Sequence, residues 1–299
     1  MSSGVPAAAL AYILWGLFPL YIKQIEAVPA LEIVAHRSVW CLVFMLALLA
    51  AMRRFAWLRD VLRQPRTLGV FALSALLLSA NWLVYVWAVN HGRVLDASLG
   101  YFINPLVNVM LGYLVLHERP RRGQWAAVAI AAIGVLWLTI GAGNLPWIAL
   151  VLAASFGCYG LLRKTAPLGA IEGLTLETLV MAPLMIALLG WFALGGFDGA
   201  GRFAQGDVAL DGWLLLAGPL TAIPLLLFAY GARRVTLATL GLLQYLGPSI
   251  QFLLGVFLYK EPFDPARGIG FALIWSALVV YSAEGLWQMR RGAAAPAAA

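Results

Sequence analysis

The chain is dominated by long runs in which apolar residues occupy every face of a helix. A surface helix of a soluble protein keeps one apolar stripe and one polar face. The stretch EIVAHRSVWCLVFMLALLAAM, Glu32–Met52, keeps no polar face: from Val39 to Met52 every residue is apolar. A helix needs roughly 20 such residues to cross about 30 Å of hydrocarbon. Ten segments reach that length: 5–22, 31–51, 67–90, 96–116, 123–141, 145–162, 172–194, 211–231, 237–258 and 267–287. Each is predicted as a transmembrane helix, so the expected fold class is all-α integral membrane. The connections are short. The longest, 195–207, is rich in glycine and polar residues and is expected to be a flexible surface loop.

Composition supports lipid as the main solvent. The chain is 63% hydrophobic and 11% charged, where a soluble domain has about 25% charged residues. Its 12 Trp and 10 Tyr suit the membrane interface. The net charge of +7 is read as topogenic, because no basic block is long enough for a nucleic-acid-binding tail. With a cytoplasmic N-terminus, fourteen Lys and Arg fall in cytoplasmic segments and five on the other side, with Arg37 left inside a span. Both termini are therefore expected in the cytoplasm. The opening MSSGVPAAALAYILWG lacks a basic region before its apolar run and is read as a retained first span. Cys41 and Cys158 lie in apolar stretches and read as core residues, not as a disulfide or metal pair.

The chain also repeats itself. WAVNHGRVLDASLG (87–100) and FAYGARRVTLATLG (228–241) share six of fourteen positions at a shift of 141. At a shift of 143, Pro105 falls on Pro248, Gly112 on Gly255 and Glu118 on Glu261. Working back at 141, Trp15-Gly16 falls on Phe156-Gly157 and Lys23 on Lys164. The chain therefore reads as ten transmembrane helices in two five-helix repeats, 5–141 and 145–287. Five is odd, so the copies insert in opposite directions. Inverted repeats of this kind are a transporter signature, with the site between the halves. Duplication for packing alone is the alternative.

The runs HRSVW, NWLVYVWAVN, ASLGYFINPLVNVMLG and TLGLLQYLGPSIQFLLGVFLYKEP closely resemble the RarD branch of the EamA family, in the drug/metabolite transporter superfamily. The resemblance covers essentially the whole chain, and ASLGYFINPLVN is its most specific part. It implies a multi-pass permease of the bacterial inner membrane. It associates the branch with chloramphenicol sensitivity and supplies no physiological substrate.

Polar groups at membrane depth are costly unless they face protein or a wet cavity, so their positions locate a cavity. Tyr101, Asn104, Pro105 and Asn108 share one helix face. Gln244, Pro248 and Gln251, with Tyr245 beside them, form the equivalent stripe in the second repeat. Each proline frees a backbone carbonyl. Tyr12, Trp15 and Pro19 share a face of span one, and Asn81 with Tyr85 a face of span three. These residues are the candidate substrate path, suited to a flat, weakly polar organic solute or a cation. Helix–helix hydrogen bonding is the other use of such amides.

His36 and Arg37 fall on Glu177 and Thr178 at the 141 shift. In oppositely inserted halves, equivalent positions lie at opposite depths. His36 and Arg37 are therefore expected at the outer mouth of the path and Glu177 at the inner mouth, as gates or proton-sensitive coupling sites. They are expected on the order of 15 Å or more apart. Arg37 has a second reading, reaching to the interface or capping another helix. Glu118 and Glu261 end spans four and nine, against the helix dipole. Each should have a compensating neighbour, such as Arg119, Lys260 or the end of another span, in a structural or gating role.

The chain has no Walker A loop, no H-E-x-x-H and no G-x-S-x-G. No ATP motor, metal or cofactor is expected. The expected function is secondary transport of a small organic solute, probed against two rivals: an intramembrane enzyme acting on lipid-linked substrates, and an assembly partner with a sealed core. Protons are a candidate coupling ion. Direction and substrate stay open. So does oligomeric state, since small-residue faces at Ala127, Ala131, Gly134 and Gly270 suit packing within or between chains.

Overall fold

In hydrocarbon every backbone N–H and C=O must find its partner within the segment, and the helix is the local solution. The computed structural model describes residues 4–90, 94–141, 147–196, 201–258 and 265–294. The described residues are helices and short links, with no strand among them.

The first run is α1, Gly4–Gly16, continued by α2, Phe18–Ile22, and a 3-10 turn, Lys23–Ile25. Then come α3, Ala30–Ala51, the short α4, Ala56–Val61, and α5, Pro65–Asn90. They are followed by α6, Val94–Leu114, α7, Arg122–Gly141, α8, Trp147–Thr165, and α9, Ala170–Ala193. The last group is α10, Val208–Ala232, α11, Leu237–Gln244, α12, Leu246–Leu253, and α13, Pro265–Ala294. Starts are marked by local chemistry. Asp207 accepts from Leu210 N at 3.0 Å to cap α10, and Thr236 accepts from Thr239 N at 3.1 Å to cap α11.

Among the described residues, eight helical stretches are long and apolar enough to cross a membrane. The other two segments expected from the sequence are α6, with Pro105 inside it, and 237–258. The latter is divided into α11, α12 and a π-turn, Leu254–Leu258. Pro248 has no N–H to close the Gln244 carbonyl, and the helix is interrupted beside it at Tyr245.

The long helices pack as a bundle. α3 lies against both α9 and α10, α8 against α5 and α6, and α1 against α10 and α12, while α7 pairs with α13. The main core draws Tyr12, Met45, Leu78, Tyr159 and Phe228 together from five helices. Large apolar side chains such as Leu76, Ile133, Leu136, Ile140 and Leu184 are exposed around the outside, as a lipid-facing surface requires.

The loop before α10 differs from the sequence expectation. Its described part is tied down: Glu32, buried in the first turn of α3, accepts from Arg202 N and Phe203 N at 3.0 and 3.1 Å. Ala204 N donates to Asp211 at 2.8 Å. A carboxylate at a helix start is well placed to hold backbone N–H groups, and that anchoring is what composition alone conceals.

Candidate functional site

Proline chemistry shapes the middle of the bundle. Pro19 lacks the N–H that would close onto Trp15 O, and Gln251 Nε2 takes that carbonyl at 3.2 Å. This bond ties α12 to α1. Beside it opens a cavity of about 120 Å3, walled by α1, α2, α3, α5, α6, α8, α10, α11 and α12.

Of the residues expected on the path, Tyr12 and Trp15 line it from α1, Asn81 and Tyr85 from α5, and Tyr101 from α6. Gln244 and Gln251 line it from α11 and α12. Much of the lining is aromatic. Trp15 lies 5.7 Å from Tyr12 and 5.8 Å from Phe156, and Tyr85 lies 5.8 Å from Tyr101. Asn81 is oriented by two bonds from Nδ2, to Leu152 O and Ser155 Oγ, both at 3.0 Å.

Asn104, Asn108 and Tyr245 are not among the lining residues. Asn104 Nδ2 donates to Ala153 O at 2.7 Å. Asn108 Nδ2 bonds Asn104 Oδ1 at 3.0 Å and Gln244 Oε1 at 3.2 Å. Tyr245 donates its hydroxyl to Phe102 O at 3.2 Å. These three are buried between helices, in the hydrogen-bonding role that membrane amides also serve.

His36 and Arg37 part company. Successive helix residues point about 100° apart, so only one of them faces the cavity. It is Arg37 that lines it. The Arg37 Nε donates to Thr221 Oγ1 at 3.1 Å, and its guanidinium lies over the rings of Phe18 (4.7 Å) and Trp82 (4.6 Å). His36 is buried elsewhere. Its Nδ1 accepts from Trp40 Nε1 at 3.0 Å, so Nε2 carries the proton, 3.8 Å from Glu32. Its ring sits 4.6 Å from Phe203.

Glu177 has a partner that repeat arithmetic misses. Its Oε1 accepts from Ser74 Oγ and lies 3.5 Å from Arg163 Nη1. Arg163 comes from the last turn of α8 and is buried, though the sequence counted it among cytoplasmic loop cations. No bond joins His36 to Glu177. Glu118 accepts from Leu237 N at 2.8 Å, the first residue of α11, and pairs with Lys164 at 3.5 Å. Of the neighbours expected for it, the end of another helix is the one found. Lys164 also bonds the carbonyls of Ala232 and Val235. Glu261 lies outside the described residues.

The comparisons with known proteins bear on this arrangement. The model of the EamA-like transporter family matches residues 2–140. Protein RarD of Streptomyces exfoliatus is 47% identical, covering 95% of this chain and 89% of its own length. Protein RarD of Escherichia coli (strain K12) is 42% identical, covering 96% of each. The chain belongs to the EamA-like transporter family. It is a RarD-like, multi-pass membrane transporter. An uncharacterized transporter of Pseudomonas aeruginosa is also similar, 46% identical over 94% of this chain and 93% of its own. A solved crystal structure, 21% identical, matches with a TM-score of 0.72 over 93% of this chain and 98% of its own. At that identity the likeness shows the fold alone.

The residues of this RarD-like cavity that polarity does not mark are Phe18, Leu78, Phe156, Leu225 and Gly247. Phe156 carried a signal, since it is the repeat equivalent of Trp15. The aliphatic wall carried none, because apolar side chains are common in every segment.

Proposed function

We propose that the chain is a secondary transporter of ten transmembrane helices in two inverted repeats, 5–141 and 145–287. It moves a small amphipathic or aromatic organic solute across the bacterial inner membrane by alternating access. The observation that carries this reading is the cavity itself, which takes lining residues from both repeats.

Two further features support it. Residues on a twofold axis meet their own equivalents. Trp15 and Phe156, equivalent at a shift of 141, lie 5.8 Å apart, and Phe102 and Tyr245, equivalent at 143, lie 6.4 Å apart. The packing is also reciprocal: α5 lies on α8 as α10 lies on α1, and α3 lies on α10 as α9 lies on α5.

In this reading two carboxylates latch the repeats at opposite ends. Glu118, with Lys164, holds the start of α11 at the cytoplasmic end. Glu32 holds the 202–203 backbone at the outer end, with His36 behind it. Glu177 with Arg163 is the titratable pair nearest the inner mouth, and protons are the proposed coupling ion. Both termini are cytoplasmic, since the remaining loop cations keep their bias without Arg163.

Reconstituted vesicles test this reading. With single-ring organic solutes trapped inside, the chain should drive exchange with labelled solute outside, and an imposed pH gradient should alter the rate. Tyr101→Ala should slow exchange about tenfold or more, as expected when a wall of the binding site is lost. Exchange no faster than in protein-free vesicles, for neutral, acidic and basic solutes alike, would contradict it.

A further inference from the structure

Inside the bundle, among the described residues, two cations face a carboxylate: Arg163 lies 3.5 Å from Glu177 and Lys164 3.5 Å from Glu118. His36, whose Nδ1 accepts from Trp40, is neutral beside Glu32. No ion pair among the described residues includes Arg37, and no Asp or Glu lines its cavity. A guanidinium does not lose its proton in a protein. An uncompensated one at membrane depth is costly, and such residues mark substrate pathways.

The way Arg37 is held leaves one part of it free. Phe18 and Trp82 take the guanidinium at 4.7 and 4.6 Å, and Thr221 takes Nε at 3.1 Å. Both Nη groups make no hydrogen bond among the described residues, and Arg37 is partly accessible from the cavity. Two adjacent N–H donors in a fixed plane match the two oxygens of a carboxylate. Gln244 adds a donor to the same cavity. It spends Oε1 on Asn108 and keeps Nε2 for the cavity. Donors without a nearby carboxylate favour an anion and oppose a cation. The aromatic lining alone did not decide between these.

The space sets the size of the remainder. The cavity volume is about 120 Å3, and an apolar cavity of roughly 150 Å3 takes one benzene ring. We propose that the solute is an organic acid with one aromatic ring. Its carboxylate sits on the Nη edge of Arg37, and its ring lies toward Trp15, Tyr101 and Phe156. This rests on the reading of the cavity as the solute path.

The test uses the full chain in lipid nanodiscs, with benzoate, benzamide, benzylamine and sodium chloride as probes. A Gln251→Cys thiol on the cavity wall is modified by methyl methanethiosulfonate, and labelling at that position is followed by mass spectrometry with the native cysteines left in place. On the unmodified chain, benzoate alone should raise the melting temperature. Benzoate should slow labelling at least roughly tenfold more than equal benzamide, the discrimination expected of a charge-assisted bidentate contact. Arg37→Gln should remove that preference, and Arg37→Lys should keep part of it. If the thiol does not label at all, the cavity is sealed and the solute-path reading falls, taking this one with it. If it labels but benzamide or benzylamine protects as well as benzoate, the path stands and the anionic solute is overturned. Equal protection by chloride would overturn the aromatic acid in favour of a small counter-ion.

Discussion

Replacing Glu177 by Gln should destabilise the fold by about 3–5 kcal/mol, and adding Arg163→Met should recover most of that loss. The two side chains face each other at 3.5 Å and are 0% and 1% exposed. Taking the charge from one leaves the other buried and unmatched, which is the expensive case. Removing both charges leaves a neutral amide that can still bond Ser74, which costs far less than an unmatched buried charge. The sequence carried no sign of this cost, because it supplied no partner for Glu177. Thermal unfolding of the two single variants and the double variant in lipid measures the cycle. A Glu177→Gln chain as stable as the parent would mean that Arg163 is satisfied by its bond to Ala170 O, at 3.1 Å, alone.

A comparable loss is expected from Gly218→Val, by a steric route. A Cβ at Gly218 would meet the backbone carbonyl of Trp40, with the carbonyl carbon at 2.6 Å. Backbone cannot swing aside as a side chain can, so α10 must move off α3. Overpacking of this kind costs about 1–3 kcal/mol, and more when helices are forced apart. The same two helices carry Thr221 and Arg37, so the move also breaks the 3.1 Å bond that orients the guanidinium. Stability and solute exchange should fall together. Gly212→Ala on the same helix is the control. Open space surrounds its Cβ, so it should stabilise the chain by roughly 0.5–1 kcal/mol through helix propensity. A Gly218→Val chain that unfolds and transports like the parent would show that α3 and α10 are not held at this distance.

Much of the helical layout was legible because hydrocarbon imposes length and continuity on a sequence. The interruption in 237–258 was foreshadowed by Pro248, and the free Trp15 carbonyl by Pro19. What the sequence could not show was which face of each helix turned where. Asn104 and Asn108 shared a stripe with Tyr101, yet they turn into the α8 and α11 interfaces while Tyr101 faces the cavity. A stripe spanning two turns is wide enough to serve both surfaces. Repeat arithmetic placed Glu177 against the position of His36 and Arg37, but repeats report symmetry, not contact. Its partner comes from the end of the preceding helix, where Arg163 resembled an ordinary loop cation. Adjacent His36 and Arg37 could not be separated without knowing the rotation of α3 against α10.

In the proposed function one cavity serves both sides of the membrane in turn. The most direct measurement is labelling of a Tyr101→Cys thiol by a membrane-impermeant, anionic methanethiosulfonate reagent in sealed vesicles of each orientation. Labelling is expected from the outer face and, separately, from the cytoplasmic face, with a transported solute shifting the ratio. Labelling from one face only, under every solute and gradient condition, would contradict it.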